Sequence, residues 1–391
     1  MKKISTLLLI SLSAYGLQAQ SFIQAYKNRA DQVSQTSITN MPQDFQNLGI
    51  KTTGSAANTN TLNWLKAKYQ AYGYTASQVT EDPFTFGNNT SSKNLIITKT
   101  GTLYPNIYVI ICGHYDTIVG PGVSDNGSGT SIILEAARIL KDIPTEYSIK
   151  FIHFSGEEQG TQGSGHYADN VLFQNNVRQF NIRVVFNIDQ VGGKLGNTNN
   201  AIKCESDQAG LSSNNAQSLS FTQQLAACTG FYSPLQTVMS NAYSSDYVPF
   251  EQKGDIITGF YENVRSNNEH TVNDTFANVD PTYVYNVGKA AVGALQHFAT
   301  ASTSLLATDE VKQNPLESIK VYPNPAKDEL QIELPKTIKN FNLELSDLSG
   351  RLILNRENET KVNVSTVPDG AYLVTVKSEG KTAVRKVIIA K

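Results

Sequence analysis

The stretch IYVIICGHYDTIVGPGVSDNGSG (Ile107–Gly129) decides how the chain is read. Its apolar run, Tyr108–Cys112, has the length and composition of a buried strand, and Gly113 stops it. His114, Tyr115 and Asp116 follow at once. A glycine-rich loop then carries Asp125, and an apolar-periodic segment, Ser131–Leu140, predicts a helix. In an open parallel sheet, ligands gather just beyond the carboxyl ends of strands. A histidine and two aspartates delivered to such an edge point to a metal site.

Outward from this stretch, strands and helices alternate. Phe22–Asn40 and Thr59–Tyr72 read as helices, the second stopped by Gly73. Asn94–Thr98 and Asn106–Cys112 read as adjacent strands joined by a Gly/Pro turn. A helix over Gly129–Lys141 ends before Pro144. Ser148–Phe154 (strand), Gly165–Asn175 (helix), Arg183–Ile188 (strand), Ser218–Cys228 (helix) and Ile256–Tyr261 (strand) follow. Pro281–Ala299 forms a long closing helix with proline in its first turn. This alternation predicts an α/β fold, a mixed, mostly parallel sheet between helices.

The ends of the chain differ in character. Lys2 and Lys3 precede an apolar run, Ile4–Leu17, and Ala19 offers a cleavage position, so residues 1–19 read as a secretory signal peptide. The α/β domain is expected over residues 20–300 and a linker over 301–318. Residues 319–391 show short alternating runs divided by turn residues, the pattern of a small all-β sandwich of about seven strands. Nothing after the signal peptide approaches the roughly 20 apolar residues needed to span a bilayer. The 391 residues carry 32 basic and 34 acidic side chains with no long run of one sign, which argues against nucleic-acid binding. Three cysteines are too few for a disulfide framework; a Cys204–Cys228 bridge is left open.

Other strand exits carry acids too. Ile149–Phe154 runs into Glu157 and Glu158, Val184–Ile188 into Asp189, and Asn268-Glu269-His270-Thr271 follows the strand ending near Tyr261. Two imidazoles and three carboxylates with a spare glutamate suit two zinc ions. Zinc accepts nitrogen and oxygen ligands, and a metal pair needs a shared carboxylate. The spare glutamate can take a proton from water. Asp116 is placed to hold the second N–H of His114. His153, His166 and His297 read as structural: the first alternates within a strand, and the others lie on helices without acidic company.

These residues carry a resemblance. Gly113-His114-Tyr115-Asp116-Thr117, Ser124-Asp125-Asn126-Gly127-Ser128-Gly129, Gly156-Glu157-Glu158, Asn187-Ile188-Asp189 and Glu269-His270-Thr271 stand in order. They resemble the motifs of the secreted zinc aminopeptidases related to bacterial leucyl aminopeptidases. The resemblance implies two zinc ions bridged by Asp125, one also held by His114 and Asp189 and the other by Glu158 and His270. It implies Glu157 as general base, Asp116 behind His114, and peptide substrates with a free N-terminus. Asn273-Asp274-Thr275 is expected to support His270. Tyr247 stands where the family often has histidine, and Tyr243 is one place out of register with an oxyanion-binding tyrosine of some members. Val321-Tyr322-Pro323-Asn324-Pro325-Ala326, Leu348-Ser349-Gly350-Arg351 and Asp369-Gly370-Ala371-Tyr372 resemble a type IX (Por) secretion sorting domain. That resemblance implies export through the periplasm, a partnership with outer-membrane secretion machinery, and a secreted or cell-surface location. Two alternatives stand beside the peptidase: a single-zinc glutaminyl cyclase on the same scaffold, and a non-catalytic peptide-binding protein.

Overall fold

The computed structural model describes residues 20–207, 213–304, 319–335, 338–347, 351–378 and 381–391. The expected signal peptide and most of the expected linker lie outside the described residues. Two compact units divide the chain near residue 305.

The first unit opens with α1 (Gln24–Ala30), α2 (Gln35–Asn47) and α3 (Ala56–Ala71), then β1 (Val79–Phe86), β2 (Thr90–Lys99) and β3 (Tyr104–His114). Next come α4 (Gly129–Leu140), β4 (Tyr147–Phe154), α5 (Gln162–His166) and a ribbon of β5 (Phe173–Gln174) with β6 (Val177–Arg178). The unit ends with β7 (Asn181–Ile188), β8 (Ala201–Ser206), α6 (Asn215–Tyr232), β9 (Gln236–Asn241), α7 (Val248–Glu251), β10 (Ile257–Glu262) and α8 (Pro281–Phe298). One sheet runs through it in the order β1-β2-β4-β3-β7-β10-β8-β9. Its centre, β4-β3-β7-β10, is parallel, and β2 and β8 flank it antiparallel.

The central strands are rich in apolar residues because both faces are covered. Val109 and Ile111 of β3 join a core with Ile132 and Ile133 of α4 and Val284 and Val287 of α8. Ile110 and Cys112, pointing the other way, pack with Phe154, Tyr167 and Phe250. All three cysteines are buried free thiols, so Cys204 and Cys228 are not bridged.

Several expectations are corrected. The strands read as adjacent, now β2 and β3, are separated by β4. The connection between them is pinned at the start of β4, where the N–H groups of Thr102 and Tyr104 donate to the carbonyls of Thr145 and Glu146. The first helix breaks after Ala30, because the Ser34 side chain accepts from the Ser37 N–H and starts a second helix running to Asn47. The helix expected over 165–175 starts at Gln162, and the left-handed pair Asn175 and Asn176 turns the chain into the ribbon. Strands β1, β8 and β9 lacked an apolar signal; β1 and β9 are edges, where one-sided pairing tolerates Pro83 and polar residues.

The second unit contains seven strands among its described residues: β11 (Lys320–Tyr322), β12 (Glu329–Glu333), β13 (Asn342–Asp347), β14 (Leu352–Glu357), β15 (Lys361–Asn363), β16 (Gly370–Ser378) and β17 (Lys381–Ile389). They form sheets β11-β12-β15 and β14-β13-β16-β17. Alternate residues Leu330, Ile332, Leu343, Leu345, Val374 and Val376 fill the core between them. Residues 348–350 of its sorting motif lie outside the described residues.

Two histidines in the first unit have structural surroundings. His153 is buried with Nε2 2.8 Å from the Tyr69 hydroxyl, and burial draws its pKa from 6.5 to about 3. His297, against the Tyr232 hydroxyl at 2.7 Å, is drawn by burial to about 4. The unfolded chain protonates His153 near pH 6.5 and the folded chain only near 3, so stability falls as pH drops through that window. The slope is at most about 1.4 kcal/mol per pH unit for one proton. His153→Gln, which keeps an acceptor for Tyr69, is expected to lose less Tm between pH 6.5 and 4 than the parent. Parallel Tm–pH curves for the two would show that His153 is not the acid-sensitive group.

Candidate metal centre

The parallel register brings the strand exits level. His114 stands opposite Phe154, Cys112 opposite Asn187, and Ile188 opposite Phe260. The residues just beyond these ends therefore meet across one edge of the sheet: His114 itself, Glu157 and Glu158 after β4, and Asp189 after β7. The loop after β10 supplies His270.

The geometry is close. His114 Nε2 lies 3.1 Å from Asp125 Oδ1 and 3.2 Å from Asp189 Oδ1. His270 Nε2 lies 3.2 Å from Asp125 Oδ2 and 2.9 Å from Glu158 Oε2. Two sets of donors result, His114/Asp125/Asp189 and Asp125/Glu158/His270, each with ligand atoms within 4.8 Å of one another. Asp125 belongs to both and turns one oxygen to each. The first set is buried, whereas the His270 side chain is 49% exposed.

Asp125 is held by backbone contacts. The Asp274 carboxylate accepts the N–H groups of Ser124 at 2.7 Å and Asp125 at 3.0 Å. Asn126, joined to Asp125 by a cis peptide, donates to the Ile188 carbonyl and accepts from Gly129 and Gln190. Gly129 is required there, because a Cβ would sit 2.4 Å from both Asn126 Oδ1 and the Ile188 carbonyl. Behind the loop, buried Lys51 donates to the carbonyls of Pro121 and Gly49, and burial lowers its pKa to about 7.

Asp116 acts differently from the expectation. His114 Nδ1 is 3.1 Å from the Asp116 backbone carbonyl and 3.7 Å from its carboxylate. The carboxylate accepts the N–H groups of Glu157 and Glu158 and the Thr53 hydroxyl. Asp116 thus orients the imidazole through its main chain and fixes the two glutamates through its side chain.

So many buried acids repel one another. Burial, with the nearby aspartates and against the pull of His114, raises Glu157 to about 10. Burial and Asp125 raise Glu158 to about 8. Asp246, buried beside the cluster, is raised by burial to about 7. Burial alone would lower His114, yet Asp189 and Asp125 hold it well above its usual value. Crowded carboxylates with two imidazoles form a hard, oxygen-rich donor set short of positive charge. It fits divalent zinc.

Of the tyrosines singled out in the sequence, Tyr243 lines the cleft, and further residues that no motif marked line it too. The Tyr243 and Ser245 hydroxyls donate to Asp189 Oδ2 at 2.8 and 2.7 Å. Tyr247 is buried and donates to Glu205 at 2.9 Å. Gln190, Lys203, Glu205, Tyr261 and Arg265 also line the cleft, which encloses about 540 Å³. None lies in a motif; the segment after β7, the strands β8 and β10 and the loop after β10 bring them here. A second cleft of equal volume, between α3 and the β1–β2 edge, includes His166. There His166 Nε2 is 3.2 Å from Asp82, so this histidine does have acidic company. No group of three possible metal ligands forms there among the described residues.

Comparison with known proteins fits this geometry. Residues 94–295, more than half of the chain, match peptidase family M28. The chain belongs to this family. Aminopeptidase YwaD of Bacillus subtilis is 36% identical to this M28 chain over 175 residues, 43% of this chain and 35% of the relative. The chain thus spans only about a third of that relative's length. The M28 fold is shared with the LapA aminopeptidase of Legionella pneumophila (TM-score 0.63, 20% identity, 78% of this chain and 81% of that one). It is also shared with the glutaminyl cyclase of Porphyromonas gingivalis (TM-score 0.56, 19% identity, 68% and 98%). Residues 320–390 match a secretion system C-terminal sorting domain, which marks a secreted or cell-surface protein. No helix among the described residues is long and apolar enough to cross a membrane.

Removing the anchor beneath the shared carboxylate tests this construction. Asp274→Ala is expected to weaken zinc binding on the order of 10–100-fold, the usual effect of losing a group that orients a ligand. Competition with a chromogenic zinc chelator measures it. Unchanged affinity would mean that the loop keeps its shape without Asp274.

Proposed function

We propose that this protein is an exported metallo-aminopeptidase that holds two zinc ions and hydrolyses the N-terminal peptide bond of peptides. The observation that carries the reading is the Asp125 carboxylate, facing His114 with one oxygen and His270 with the other. In it, His114, Asp125 and Asp189 hold one ion, and Asp125, Glu158 and His270 hold the other. The domain division proposed alongside is a peptidase domain over 20–300, a linker over 301–318 and the sorting domain over 319–391. The sorting domain engages the outer-membrane secretion machinery and takes no part in catalysis.

Zinc, when bound, supplies Lewis acidity, polarising a carbonyl and making a nearby water more acidic. The protein's own residues do the rest. Glu157 belongs to neither ligand set, lines the cleft, and has its backbone N–H tied to Asp116. With cations bound beside it to offset the burial and negative charge that raise its pKa, Glu157 is ionised, takes the proton of the attacking water and returns it to the departing amine nitrogen. Tyr243 and Ser245 hold Asp189 in place, and Asp116 holds the segment that bears both glutamates.

Two measurements test this reading. Glu157→Gln is expected to keep its zinc and lose turnover of aminoacyl-p-nitroanilides by several orders of magnitude; wild-type turnover in that variant would remove the base. Zinc titration is expected to saturate at two ions per chain, the buried His114 set filling before the more exposed His270 set. His270→Ala is then expected to saturate at one. A wild-type endpoint of one ion would favour the cyclase reading, since that activity needs a single zinc.

A further inference from the structure

The metal-binding side of the cleft is accounted for; its opposite wall has a chemistry of its own. No aliphatic side chain lines the cleft among the described residues. Tyr243 and Tyr261 contribute two phenol rings, and the remainder is polar or charged. A pocket that selects a leucine-like side chain gains from burying apolar surface against apolar walls. This wall offers little such surface.

Lys203 is its central cation. It lies on β8 directly across from Tyr261 on β10, with Nζ over the Tyr261 ring at 5.0 Å from the centroid. Glu205, two residues along the same face, is buried, and its Oε2 accepts from the Tyr247 hydroxyl at 2.9 Å. It attracts Lys203 at a distance, but no carboxylate of the described residues makes an ion pair with that ammonium. Arg265 adds a second cation: its Nε pairs with Glu269, while its side chain remains 58% exposed at the mouth. Once Asp125, Glu158 and Asp189 are neutralised by bound cations, Lys203 faces the remaining space without an ion pair among the described residues, and Arg265 lines it with Glu269 as its one carboxylate partner there.

We propose that Lys203, assisted by Arg265, takes a carboxylate of the substrate, so that substrates bearing it are cleaved faster than their uncharged counterparts. This rests on the aminopeptidase reading above. The carboxylate has two possible sources, the side chain of an N-terminal Asp or Glu and the C-terminus of a short peptide.

The test uses the full chain loaded with zinc. Glu-, Gln- and Leu-7-amido-4-methylcoumarin carry the side-chain comparison, and Leu-Gly against Leu-Gly-amide carries the C-terminal one. A side-chain site predicts that kcat/KM for Glu exceeds that for Gln on the order of ten- to a hundredfold, the effect of one charge-assisted contact. A C-terminal site predicts the same ratio between Leu-Gly and its amide, with Glu and Gln alike. In either case Lys203→Met is expected to bring the ratio toward one, mainly through KM, with zinc content and Tm measured beside it. Both ratios near one in the wild type, or a ratio unmoved by Lys203→Met in a folded, zinc-loaded variant, would overturn the proposal. Cleavage of Leu with no acidic preference sinks this inference alone; no cleavage of any substrate sinks the aminopeptidase reading as well.

Discussion

The first unit depends on one arrangement: a carboxylate, Asp125, with an imidazole at each oxygen, held where backbone groups leave it no freedom. Carboxylates packed this closely are mutually repulsive, and burial increases the repulsion by removing water. Such a cluster persists only on a rigid frame. The parallel strands, apolar on both faces, provide the frame, and Asp274, Asn126 and Asp116 tie the loops to it.

Rigidity is graded across the centre. His114 and Asp189 are buried, and Asp189 is gripped by two hydroxyls. His270 sits on a loop with left-handed backbone, half exposed. One imidazole is thus part of the sheet edge, and the other is carried by an exposed loop. The sorting domain has a hydrophobic core of its own.

Much of the site is legible in the chain's local pattern. The strand-exit acids Glu157, Glu158 and Asp189, and the paired acids after His114, stand out because a buried parallel strand ends abruptly where polar residues begin. Alternating runs after residue 319 are equally plain. Strands β1 and β9 are not, since the exposed positions of a sheet's rim impose no apolar period, and β8, though internal and buried, carries Lys203, Glu205 and Ser206 among its apolar residues. The insertion of β4 between β2 and β3 is also hidden, because pairing order depends on contacts remote in sequence.

The sequence by itself determined the two-part organisation, which follows from periodicity, and the candidate donor residues and their order, which follow from strand exits and from the resemblance of their motifs. Tertiary structure alone decided which Asp125 oxygen faces which histidine and that Asp116 grips His114 by its carbonyl. It also decided that Lys203 and Arg265 share the cleft with them. Those facts are distances between segments far apart along the chain, and only packing sets such distances.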